Sequence, residues 1–90
     1  MGKAKGTPPR RVEVRVELKP GVMDAEALST EKALGLLGVK DLDGVHIARV
    51  YELTFTGIDA EAAMDRAREC VERLLANPVI HQVSLRALEH

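Results

Sequence analysis

Apolar and polar residues alternate without a break along "RVEVRVELK". Val12, Val14, Val16 and Leu18 fall on one side; Glu13, Arg15, Glu17 and Lys19 fall on the other. A period of two predicts a strand with one face on a core and one in water, as in an antiparallel sheet. Pro20-Gly21 then turns the chain. Asp24 is placed to cap a helix through "AEALSTEKALGLLG", with Ala27, Leu28, Leu34 and Leu37 expected to face inward and Gly38 to end it.

In "DLDGVHIARVYELTFTG", Val45, Ile47, Tyr51, Leu53 and Phe55 share one parity. Arg49 shares it too, which predicts a bulge near 48–50 that turns its guanidinium to solvent, or else an interface contact for it. No turn signal stands between Gly44 and Gly57, so one long bent strand is expected from Val45 to Phe55. Its length exceeds the usual roughly five or six residues, which suggests pairing beyond its own small sheet. Asp59 is a second N-cap. Ala63, Met64, Ala67, Cys70, Val71 and Leu74 follow at helical spacing through about residue 76. Glu69 and Arg73 form an exposed i,i+4 pair on that helix. Asn77-Pro78 stops the helix, Pro by its missing N–H and Asn by its tolerance of left-handed geometry. A last strand from Val79 to about Ala87 places Val83, Leu85 and Ala87 on one face.

The pattern is β-α-β-α-β, or β-α-β-β-α-β if the middle strand breaks. Either order gives an α+β fold: a small antiparallel sheet with two helices on one face. Residues 1–9 read as a flexible basic tail and 10–90 as one domain. No function is argued from Leu88-Glu89-His90.

Composition narrows the possibilities. The only aromatics are Tyr51 and Phe55, so the core is aliphatic and thin, and association would stabilise it. A net charge of −1 leaves no basic footprint for nucleic acid. A lone Cys70 excludes an internal disulfide and suits a reducing compartment. No apolar run approaches a membrane span, and "MGKAKGTPPRR" lacks the apolar stretch of a signal peptide, so the cytoplasm is expected.

Candidate chemistry is sparse. His46, His81 and His90 have no metal-ligand spacing. His46 reads as a surface residue and Cys70 as part of an apolar stripe. Ser29 and Ser84 lack a glycine-flanked elbow, and "KPGVMD" has one glycine, too few to cradle a phosphate. These residues imply a non-catalytic domain.

Four stretches carry a family resemblance: "VEVRVELKPGVMD", "KALGLLG", "VHIARVYELTF" and above all "CVERLLANPVI". Over about residues 11 to 87 the chain resembles the PurS family, small subunits of phosphoribosylformylglycinamidine synthase. It departs from the family pattern at Ala25 and Ala27, where Pro-x-Gly is usual. It also departs at His46, Ala48 and Arg49, where Arg, Gly and Lys are usual, and at His81, commonly Glu. The resemblance implies a non-catalytic subunit of purine biosynthesis that self-associates. It would bridge a glutaminase subunit and a large synthetase subunit and help ammonia pass between them. No cofactor is implied in this subunit; ATP and magnesium belong to the synthetase. His46 and Arg49 are the candidate partner-interface residues.

Two other classes stay open. "LKPGV" also resembles the Pro-Gly turn of an ACT-type, ferredoxin-like ligand-binding module, which needs four strands. The remaining class is an oligomerisation domain without a ligand.

Overall fold

A computed structural model describes residues 8–88; the expected tail falls largely on residues 1–7 and, like Glu89 and His90, lies outside them. Three strands, β1 (Arg10–Leu18), β2 (Ala48–Phe55) and β3 (His81–Leu88), form an antiparallel sheet in the order β2-β1-β3. Helices α1 (Ala25–Leu36) and α2 (Ala60–Cys70) connect them, and α2 runs on into a wide π turn, Val71–Leu75. The α+β architecture is the one that the alternation of patterns predicts.

The alternating strand is the centre of the sheet. Val12, Val14 and Val16 are buried against Ala63 and Ala67 of α2. Register places Leu53 and Ala87 beside Val12, and Tyr51 and Leu85 beside Val14, on the same face. The opposite face is charged. Glu13 and Glu52 stand directly opposite each other, and Arg86 and Arg11 offset them at 3.1 and 3.4 Å.

The connections follow the local chemistry. Lys19-Pro20-Gly21-Val22 is a type II turn: Val22 N–H donates to the Lys19 carbonyl and Gly21 has φ +90°. Asp24 and Asp59 cap their helices by accepting from the N–H groups of Ala27 and Ala62. Beyond α1, Val39 N–H reaches the Leu34 carbonyl and Gly38 N–H that of Gly35, with Gly38 at φ +92°. This pair of bonds is a Schellman ending, which the backbone freedom of glycine permits.

Four expectations are corrected. β2 starts at Ala48, so the middle strand is shorter than Val45–Phe55, and its ladder runs without a bulge from Ala48 to Phe55. Arg49 therefore keeps the parity of the core face, opposite Val16. Asn77 is not left-handed; Asp41 is the sole non-glycine described with positive φ. It works through hydrogen bonds instead. Its Oδ1 accepts from Val79 N–H and its carbonyl from the N–H groups of Ile80 and His81. The helical stripe also shifts phase. In the π turn Ala76 N–H donates five residues back to Val71, which widens the turn. Leu75 then packs on the core and Leu74 points outward, 84% exposed.

The fourth correction concerns α1. It meets the body through its first turn, where Ala27 is its one buried residue. Leu28 is exposed, and Leu36 and Leu37 are 85% and 79% exposed. The radius of gyration is 17.7 Å, against about 12 Å for a compact domain of this length.

The shifted phase has a measurable consequence. Leu75→Ala should cost about 1–2 kcal/mol in urea unfolding, as expected for truncating a half-buried leucine. Leu74→Ala should stay within about 0.5 kcal/mol. An uninterrupted α-helix would give the reverse order.

Candidate functional site

Polar side chains of the core face and of both helical connections converge where β1 ends, β2 begins and α1 starts. A cavity of about 240 Å³ opens there, lined by Glu17, Asp24, Glu26, Arg49, Tyr51 and His81 among others. Asp24 is committed to its helix cap. Arg49 keeps the parity of the core face because β2 carries no bulge, yet it is exposed at the strand end. Interaction with Tyr51, first by hydrogen bonding and then by charge, raises its pKa above the ordinary arginine value; desolvation opposes this, and the charge of Glu26 adds a smaller raising effect. Arg49 and Glu26 line the same cavity between the start of β2 and the first turn of α1.

His46 stands on the other side of the same strand end. Its Nε2 lies 2.5 Å from Oε1 of Glu17, joining the segment before β2 to the polar face of β1. Arg15 approaches the other Glu17 oxygen at 3.7 Å. The His46 hydrogen bond, aided by the charges of Arg15 and His46, lowers the Glu17 pKa against a smaller opposing effect of desolvation. A second cavity of about 350 Å³, lined by His46, Val45, Lys19 and Gln82 among others, lies beside this pair.

The two sequence candidates therefore flank one end of β2, on opposite faces of the sheet, and each has a partner within the chain. These contacts position the strand end; among the described residues of the cluster no nucleophile is paired with a base. Cys70 is half-buried in the helical stripe. Among the described residues, no group of three or more His, Cys, Asp or Glu is arranged to hold a metal. Sequence reasoning missed the roles of Glu17 and Tyr51. Glu17 gave no local signal, since its partner lies 29 residues away. Tyr51 did: it sits two residues from Arg49 on one strand, hence on the same face.

The profile of the PurS family, described as phosphoribosylformylglycinamidine (FGAM) synthase, matches residues 11–89. This chain belongs to the PurS family. It is 41% identical over 73 residues to the phosphoribosylformylglycinamidine synthase subunit PurS of Archaeoglobus fulgidus, covering 81% of this chain and 91% of that one. The solved PurS of B. subtilis is 30% identical with a TM-score of 0.76, covering 89% and 99%. A solved structure of PurLQS from Thermotoga maritima shares the fold at 21% identity and a TM-score of 0.80, covering 90% of this chain and 99% of the matched one. "LLANPVI" falls on the end of the π turn and the junction into β3. No helix among the described residues is long and apolar enough to cross a membrane.

The Glu17–His46 contact predicts a pH dependence with a definite sign. The Glu17 pKa is depressed in the folded chain, so the contact stabilises above the ordinary value of 4.5. That stability is lost as pH falls through the lower folded value. The carbon-13 titration of the Glu17 carboxyl should show a midpoint below 4.5. In His46→Ala the midpoint should move upward, and the acid limb of the melting curve against pH should flatten.

Proposed function

We propose that this chain is a non-catalytic PurS subunit of FGAM synthase in purine biosynthesis. In this reading it associates with itself and bridges a glutaminase subunit and a large synthetase subunit, helping ammonia reach formylglycinamide ribonucleotide. ATP and magnesium are used by the synthetase, this subunit holds no cofactor, and the complex works in the cytoplasm. The observation that carries the reading is the family match across nearly the whole chain.

The surface supports a role in assembly. Leu36, Leu37, Val39 and Leu42 form an exposed apolar end to α1 and its following loop. Leu74 and Val79 expose a second apolar site at the other connection. A small chain with this much uncovered apolar surface gains by association. The described sheet has three strands, where an ACT-type module needs four. Arg49 and His46 remain the candidate contacts with partner subunits; the His46 side chain is 60% exposed and so available to one.

Two measurements test the proposal. Light scattering after size exclusion should give a dimer or larger; a monomer mass at high micromolar concentration would argue against self-association. In a complex reconstituted from purified subunits, synthesis from glutamine should require this chain, while synthesis from added ammonia should be largely spared. Equal glutamine-dependent rates with and without the chain would refute bridging. If Arg49 meets a desolvated carboxylate on a partner, titration into the purified partners should show Arg49→Ala binding weaker by about 2 kcal/mol or more. An unchanged titration removes Arg49 from the interface.

A further inference from the structure

The junction into β3 is closed from both sides by one pair of residues. Asn77 N–H donates to Nδ1 of His81 at 2.9 Å, and His81 N–H donates back to the Asn77 carbonyl at 2.8 Å. A ring nitrogen accepts a hydrogen bond only when it carries no proton, so the bonded ring is neutral with its hydrogen on Nε2. Val79 N–H, on Oδ1 of Asn77, and Lys19 N–H, on the Ile80 carbonyl, complete the junction and tie it to the end of β1.

The ring also has a place between two hollows. His81 lines the 240 Å³ cavity at the start of β2 and α1. It equally lines a groove of about 350 Å³ bordered by Val71, Ala76, Pro78 and Val83. Its backbone is fixed opposite Leu18 in the sheet, so only the side chain is free to move.

We propose that His81 is an acid-released latch on the helix-to-strand junction. Protonation places a second N–H on the ring, and Nδ1 then faces the Asn77 N–H donor to donor. The hydrogen bond breaks, the Asn77 amide turns to water, and the ring leaves the lining that the two hollows share. The ionisable groups around those hollows come from every neighbouring element. They are Glu17 and Lys19 at the end of β1, Asp24 and Glu26 of α1, Arg49 and Tyr51 of β2, and Glu72 of the π turn. They are the charges that face the ring. The donor-to-donor clash sets what opening does, and it acts at Asn77.

Nitrogen-15 NMR of the whole chain tests this directly. At about pH 8 the His81 ring should show an unprotonated, hydrogen-bonded Nδ1. On lowering the pH to about 5, the Asn77 amide signal should move in step with the His81 ring. After correction for intrinsic pH dependence, its hydrogen exchange should quicken about fivefold or more. In His81→Gln, whose amide oxygen accepts at both pH values, the step should vanish while protection at Asn77 stays. An Nδ1–H tautomer at the higher pH would overturn the proposal. So would an Asn77 amide that keeps its shift and protection through the His81 titration. Both readouts come from the unmodified protein, so they decide the question even if the variant fails to fold.

Discussion

The close approach of α2 to β1 is the contact on which the rest of the chain depends. Val12, Val14 and Val16 present branched side chains from the central strand, and Ala63 and Ala67 let the helix axis come near them. β1 also holds both neighbouring strands by its two ladders. Loss of β1 would leave no sheet, since β2 and β3 are paired only with β1. Small residues on the helix and branched ones on the strand give dense packing from little volume. They also give a small core: only six described hydrophobic residues are fully buried, one of them Ala27 outside the main cluster. Burial on that scale leaves little margin over the entropy of ordering the chain.

The uncovered apolar surface follows from the same economy. α2 uses its apolar stripe on the chain's own sheet, whereas α1 keeps Leu28, Leu36 and Leu37 on the outside. In a single-subunit enzyme such a helix would be a flaw. Under the proposed function it is surface available to another chain. The charged back of the sheet, with its alternating Glu and Arg residues, discourages indiscriminate stacking while the apolar sites stay open.

Much of this was legible in the sequence, for physical reasons that can be named. β1 announces itself because one buried and one wet face enforce strict alternation. The Asp24 and Asp59 caps, the Pro20-Gly21 turn and the Gly38 ending each depend on residues within a few positions, so local reading finds them. Arg49 misled because parity was taken to forbid a charge on a core face. The strand end is open enough to leave Arg49 exposed, with Tyr51 and Glu26 lining the same cavity. Leu74 misled because a helical stripe extrapolated at constant pitch cannot register one π turn. The outward stance of α1 was illegible for a further reason. Its sequence carries the leucines of a packed helix, and sequence does not say whose core they enter.

The attachment of α1 gives it the mechanics of a lever. The helix has 12 residues, or about 18 Å at 1.5 Å per residue, and it is anchored at one end. A tilt of about 10° at the Asp24 cap would carry the far end through about 3 Å while its own hydrogen bonds stay intact. Gly21 lies just before the anchored end and Gly38 just past the free one, both with positive φ. A modest change at the cavity below the first turn, which Glu26 and Arg49 both line, would therefore arrive magnified at Leu36 and Leu37.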